Sequence, residues 1–379
     1  MNEGAALRKA LKEQGKRRVQ FLTGIKKIRL RWLDLPLMRP YRLSYRTFEN
    51  FEPFLVEVED DDGNRGFGDG HISPGSSSET RDGGWTLLNR WCREAVGLST
   101  ADAKALVLKD FEKSKVAATA FVTALEVVEG DKLATIEKDV ELPLLTPVNE
   151  TDLAAIPREI DDWLARGFKT FKVKVGKDVD ADLRRVAAIQ AAVNGQATLR
   201  LDANRAFDRA DAIRFVSGLD PEAIELFEQP CDADDWEANA AVADASEIPL
   251  MLDEPICTMS DIERAAAIDG VGYCKLKLKR FGGLERLRAG LDSVRKHGMK
   301  PVLGDGLGSE LHSWLEACVA SRTIDNAGEF NGFLKPRDRL FLNPLTFRDG
   351  AIHIPAGYRP ELDMARIEAM TVRQEQFTI

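Results

Sequence analysis

The sequence predicts an α/β chain built around a TIM-type (β/α)8 barrel, with an α+β module at its N-terminus. Two observations predict this. Three acids follow short apolar runs at nearly one pitch: Asp202 in TLRLDAN, Glu228 in AIELFEQP and Asp253 in PLMLDEP, 26 and 25 residues apart. That pitch is one strand-plus-helix unit. Strand-like and helix-like patterns also alternate from Leu142 onward, and eight strand candidates make one closed barrel.

In order along the chain, the first nineteen residues, MNEGAALRKALKEQGKRRV, are basic but lack the apolar stretch of a secretory signal. Arg8, Lys9, Lys12, Lys16, Arg17 and Arg18 fit a short solvated extension. KKIRLRWLDL and FLVEVEDDDGNRGFGDG read as antiparallel strands, the second broken by a turn rich in Asp, Gly and Asn. From Trp85 to Gly130 the period becomes helical, as in VAATAFVTALEVVEG. Strands followed by helices suggest an α+β module spanning residues 1–141. The barrel is expected over 142–344, with 345–379 returning to complete that module.

The barrel strand candidates are LLTPV, KTFKVKV, ATLRL, AIELF, PLML, GYCKLKL, KPVLG and a short segment before Glu329. A doubly wound sheet would alternate in the same way. No GxGxxG follows the first strand, and the count of eight favours the barrel.

Composition bounds the function. With 379 residues and 44% hydrophobic content the chain can bury a large core and a smaller one. A net charge of −9 argues against general nucleic-acid binding, which needs clustered Lys and Arg. No segment is long and apolar enough to span a membrane. Five cysteines without close pairing are not a disulfide framework or a zinc site, and they suit a reducing cytoplasm.

The polar residues that end the strands carry the chemistry. Lys172 and Lys174 precede Asp202, Lys277 follows Asp253, and Asp305 and Glu329 continue the series. In a parallel barrel these strand ends share one mouth. An Asp after a strand is often only a helix N-cap. Three acids in register, flanked by lysines, instead point to a hard cation such as Mg²⁺, with Mn²⁺ as a substitute, because such ions take carboxylate oxygens at about 2.1 Å.

KVKVG, LDAN, FEQP, LDEP and the Lys277 segment ending in Gly282-Gly283 resemble the consecutive barrel motifs of the enolase superfamily, most closely its muconate-lactonizing enzyme branch. PLMRPYRLSYRTF and GFGDG are similar to that family's capping domain, so the resemblance runs from about residue 25 onward and implies a modified (β/α)7β TIM barrel with an α+β N-terminal capping domain. It implies that Asp202, Glu228 and Asp253 hold one Mg²⁺ that binds a substrate carboxylate. Lys174 and Lys277 would face the substrate α-carbon from opposite sides, Lys172 would support Lys174 or the carboxylate, and Asn204 would steady the metal site. Lys275, Lys277 and Lys279 alternate and would share a face; the double glycine selects Lys277.

Removing a proton next to a carboxylate creates an enediolate dianion that needs nearby positive charge. A lysine with its ordinary pKa of about 10.4 is almost wholly protonated at neutral pH, so a catalytic lysine must have its pKa lowered. Lys172, two residues from Lys174 on one strand face, is expected to do this by like charge.

Lys172, Asp305 and Glu329 are substrate-contact candidates. If both acids line the pocket, they favour an amine-bearing substrate. Asp305 could equally serve its GDGLG turn, and Glu329 a structural ion pair. His297 and His312 show no His-Asp base register, and His71 sits in the cap near the expected mouth. RPYRLSYR, with Arg39, Arg42, Tyr45 and Arg46, and GDGHISPGSSSET have the content of a mobile cover that sets specificity. The expected outcome is racemisation or epimerisation, or cycloisomerisation, of a small carboxylate by a homo-oligomeric enzyme. A sugar-acid dehydratase and a non-catalytic binding homologue are the rival readings.

Overall fold

The computed structural model describes residues 24–42 and 46–379. The basic stretch from Arg8 to Arg18, and Tyr45, lie outside the described residues.

In the cap, β1 (Ile25–Leu33) is followed by the hairpin of β2 (Leu35–Arg42) and β3 (Thr47–Phe51), then β4 (Phe54–Asp60) and β5 (Arg65–Gly70). Three helices come next: α1 (Arg81–Ala95), α2 (Thr100–Lys109) and α3 (Lys115–Val128). Thr80, Ser99 and Ser114 cap them through side-chain oxygens. Ile28, Leu30, Val56 and Val58 pack with Trp91, Phe121 and Leu125 in one buried cluster.

The GDG that opens GDGHISPGSSSET belongs to β5 rather than to a mobile cover. A Cβ on Gly66, Gly68 or Gly70 would collide with Ala124 O, Thr123 Oγ1 or Val116 O of α3, so the glycines let helix and strand touch. The loop proper begins after Gly70, where His71, Ile72 and Ser73 are still buried.

β6 (Val140–Pro143) lies outside the parallel sheet, and the barrel begins with β7 (Thr146–Val148). Units then alternate: α4 (Ile156–Ala165), β8 (Thr170–Lys174), α5 (Val179–Val193), β9 (Thr198–Asp202), α6 (Arg209–Ser217), β10 (Ile224–Glu228), α7 (Trp236–Ala245), β11 (Leu250–Leu252) and α8 (Met259–Ala266). β12 (Val271–Leu276), the single turn α9 (Leu278–Phe281), α10 (Leu284–Lys296), β13 (Lys300–Leu303) and α11 (Glu310–Thr323) follow. The parallel sheet runs β13-β12-β11-β10-β9-β8-β7. Residues 327–330 take the eighth place without forming a regular strand. Glu329 N–H donates to Leu303 O at 2.8 Å on one side, and Gly328 bonds with Pro143 and Leu145 on the other.

Inside the barrel, Leu226, Met251, Tyr273 and Val302 form a buried apolar layer. On β9, Arg200 lies two residues before Asp202 and pairs with Glu225 at 2.8 Å. Arg200 and Asp202 therefore share a strand face, and Arg200 sits one layer below the site, opposite Leu226 in strand register.

After the barrel, β14 (Thr346–Arg348) pairs with β15 (Ala351–Ile354), which in turn pairs with β6. Beyond α12 (Met364–Ala369), β16 (Thr371–Thr378) lies antiparallel beside β1, so the tail completes the cap sheet. None of the described helices is long and apolar enough to cross a membrane.

Candidate active site

Parallel register puts the acids side by side: Lys174 is opposite Asp202 on β8 and β9, and Asp202 is opposite Glu228 on β9 and β10. Asp253 follows β11 directly and Lys277 follows β12. The resulting row is Lys174, Asp202, Glu228, Asp253, Lys277. None of the three acids caps the next helix, since Asp208, Asp235 and Thr258 do so. Asp202, Glu228 and Asp253 are at most 2% exposed, so each needs a cationic partner.

The lysines supply those partners. Lys172 Nζ lies 2.7 Å from Asp202 Oδ2, 2.8 Å from Glu228 Oε2 and 3.1 Å from Glu329 Oε2. Lys275 bridges Glu228, at 3.0 Å, and Glu329. Lys174 donates to Asp202 Oδ2 at 2.5 Å and also contacts Asn204. Lys277 donates to Asp253 Oδ2 at 2.8 Å, and Arg280 holds Asp253 Oδ1 at 2.8 Å. Lys279 pairs with Asp305.

Turn geometry supports the row. Asn204, at φ 45°, donates its N–H to Asp202 Oδ1 at 2.9 Å while its side-chain oxygen meets Lys174. Gln229, at φ 40°, accepts the Asp253 N–H at 3.0 Å. Both residues sit in the left-handed region, where the chain leaves the strand sharply.

Charge sorts the ionisable groups. Burial works against an ionised Asp253, yet Lys277 and Arg280 hold its carboxyl well below the usual range. Burial likewise opposes ionisation of Asp202, but Lys172 and Lys174 keep it low. Glu228 moves up, through burial and the Asp202 charge beside it. Lys172 moves well above its ordinary value despite burial, because three acids surround it. Lys277 moves down, through burial and then the Arg280 guanidinium. The lowered ammonium is thus on the β12 side, with Arg280 as its like charge, whereas Lys172 serves chiefly as a counter-ion.

A divalent cation suits this donor set by its chemistry, being three buried carboxylates on adjacent strand ends. Asp202 and Glu228 already share a single positive point, the Lys172 ammonium. In the arrangement described, each acid is turned onto an ammonium or guanidinium, and among the described residues no three acidic, His or Cys side chains form a metal cluster. Binding by all three acids requires their carboxylates to turn away from the lysines.

Asp305 and Glu329 both lie at this mouth, and both are engaged by lysines. KLKLK does not alternate throughout: β12 ends at Leu276, Lys277 caps α9, and Lys279 rides on that turn to reach Asp305. His71 is buried between Phe48 and Phe51, accepts the Glu52 N–H at 3.1 Å, and is pushed down to about 3 by burial and Lys279. His312 lies in the seam between cap and barrel, 3.4 Å from Asp69 and 3.8 Å from Glu316. His297 follows the last turn of α10 as its C-cap.

The seam closes over the β12 side. Glu126 of α3 accepts the Leu284 N–H at 2.7 Å, Thr119 donates to Lys279 O at 3.3 Å, and Glu316 accepts from Leu278 N–H at 3.4 Å. Gly283, at φ 144°, leaves room for Glu126, since a Cβ there would stand 2.8 Å from Oε1. The double glycine is therefore a docking point for the cap helix. Arg280, Tyr41 and Lys335 also reach this mouth and were not singled out from the sequence. The R that ends KLKLKR was the available signal for Arg280; nothing local marked the other two.

A family model described as "Enolase C-terminal domain-like" matches residues 155–360. The chain is 27% identical over 297 residues to an L-Ala-D/L-Glu epimerase of Clostridium acetobutylicum, covering 74% of this chain and 82% of that one. It is 27% identical over 365 residues to muconate cycloisomerase 1 of Rhodococcus opacus, covering 89% and 96%. Its fold matches a dipeptide epimerase from Cytophaga hutchinsonii, solved with Mg and the dipeptide D-Ala-L-Val, with a TM-score of 0.83 at 21% identity, over 93% of this chain and 99% of that one.

Proposed function

This chain belongs to the enolase superfamily, and from that premise we propose that it removes the α-proton of a small carboxylate substrate, with Mg²⁺ held by Asp202, Glu228 and Asp253. It is an isomerase-type enzyme. The observation that carries the finer reading is the row of three buried acids with a lysine at each end. In this reading residues 1–141 and 345–379 form the cap, and 142–344 form the catalytic barrel. The five cysteines are unpaired, in keeping with a cytoplasmic enzyme.

When bound, the cation supplies Lewis-acid charge to the substrate carboxylate. The chain's own residues do the rest. Lys277, whose ammonium is lowered by burial and by Arg280, is assigned the proton-taking role. Lys174, across the row, returns a proton from the other face in an epimerisation or racemisation, or offers positive charge to the enediolate in a cycloisomerisation. Lys172 and Lys275 keep the row of acids close to neutral in total charge. Two facing lysines favour epimerisation or racemisation.

The test is calorimetric titration of the protein with Mg²⁺ beside its Glu228→Gln variant, followed by ¹H exchange of carboxylic acids in deuterated water. One-site binding lost in the variant supports the reading, and identical behaviour of the two proteins refutes it. A dehydratase would instead release water from an α,β-dihydroxy acid, and the enol left behind would ketonise and take solvent deuterium at the former β-carbon.

A further inference from the structure

The cations of the barrel mouth that touch the row are all paired with carboxylates. Lys172, Lys174, Lys275, Lys277, Lys279 and Arg280 each have a carboxylate oxygen within 4 Å. Lys335 differs. It lies just beyond the eighth barrel position, and among the described residues no carboxylate stands within 4 Å of it. Its Nζ donates only to neutral oxygens, Gly306 O at 2.7 Å, Asn331 Oδ1 at 2.8 Å and, at a long 3.4 Å, Asn331 O.

The ammonium also lies 4.6 Å from the centre of the Tyr41 ring, which descends from the cap on β2. A Cβ placed on Gly306, at φ 71°, would stand 3.3 Å from the Tyr41 hydroxyl and 3.4 Å from Lys335 Nζ. The two polar groups therefore converge over one glycine. Backbone bonds hold them there: Met38 N–H donates to Lys335 O at 2.9 Å, and Arg337 N–H to Pro36 O at 2.8 Å.

We infer that Lys335 and Tyr41 form a subsite for a second carboxylate of the substrate, so that the enzyme takes a dicarboxylate. This deepens the proposed function and rests on it for the position of the reacting carboxylate. One ammonium and one hydroxyl match a single negative charge better than a phosphoryl group, which calls for more donors. An amine at the same end is disfavoured, because Asp305 is held by Lys279, and Glu329 by Lys172 and Lys275. Burial lowers the Lys335 ammonium to about 8, against the pull of Glu329 and Asp305, so it gains most from an anion that approaches it.

The probes are N-succinyl-L-alanine and its terminal carboxamide, which share the reacting end and differ in one charge. Binding is measured calorimetrically, with and without Mg²⁺, on the full chain and on Lys335→Met and Tyr41→Phe. The expected result is a preference for the dicarboxylate of tenfold or more. It should fall to about twofold in Lys335→Met and by a smaller factor in Tyr41→Phe, which keeps the ring over the ammonium. Equal affinity for the two probes, or a preference that survives Lys335→Met, overturns the subsite. Absence of Mg²⁺ binding in the unaltered protein overturns the metal reading alone, because the probe preference is also measured without the ion.

Discussion

Lys174 and Lys277 end the same row of acids from opposite sides, and the fold treats them differently. Lys174 leaves β8 toward solvent, with its side chain 45% exposed. Lys277 is 12% exposed under the cap, with Arg280 on the same carboxylate. On the β12 side α3 docks through Glu126 and Thr119, while Lys174 bonds to Asp202 and Asn204. The difference teaches that barrel symmetry sets where a lysine stands, whereas the cap sets what surrounds it. Burial and like charge then fall on one lysine more than on the other.

The strongest way to break this distinction is to remove each lysine in turn. Lys277→Met and Lys174→Met should each lower turnover by about 10² to 10⁴-fold, the range for a lost general acid or base. With Lys277→Met the larger loss should be in α-proton exchange near neutral pH, followed by NMR in deuterated water. Equal losses of exchange in the two variants would erase the distinction.

The buried counter-ions sharpen the same contrast. Lys172→Met and Lys275→Met each strand carboxylates inside the barrel and should destabilise the fold by about 3–5 kcal/mol in denaturant titration. The Lys172 variant should lose more, since its ammonium meets three acids against two for Lys275. A loss below about 1 kcal/mol in both would mean that these acids find other partners.

Gly283→Ala tests the seam. At φ 144°, and against Glu126, a methyl group should cost about 1–3 kcal/mol, read as a lower thermal midpoint. Activity should fall through the Lys277 side, with little change in the surroundings of Lys174.

The smallest effect is one of pH. Glu316 and Asp69 outweigh burial and raise His312 to about 9. A pKa raised on folding adds stability that is fully present below the ordinary value of about 6.5 and is lost as pH climbs through 9. Amide hydrogen exchange at residues 278–285 should therefore quicken between pH 7 and 9, once corrected for intrinsic rates, while residues 172–176 stay as protected as before. Equal quickening of both segments would argue against a seam that acts on one side.

The row of acids was legible in the sequence because a barrel repeats: each unit brings its strand end to the same mouth, and the pitch between Asp202, Glu228 and Asp253 records that. The cap's part was not legible. Asp69 was read as part of a cover, yet it lies on a strand pressed to α3 and faces His312 across the seam. Tyr41 and Lys335 are far apart in sequence and meet only after two domains dock, and no spacing rule links such residues. Lys172 was expected to depress Lys174, but its ammonium points into three carboxylates; a strand pattern gives a side chain's face and not its partners.

Lys172 and Lys275 also bear on how the molecule is assembled. With these two ammonium groups tethered among Asp202, Glu228 and Glu329, the barrel can close with its acids already compensated. Many small metal-binding domains are unfolded until the ion arrives, because nothing else neutralises their ligands. Here the chain brings its own cations. If the proposed metal reading holds, shape and ion supply would thereby be decoupled, and protein without the ion would stay folded rather than join a pool of unfolded chains.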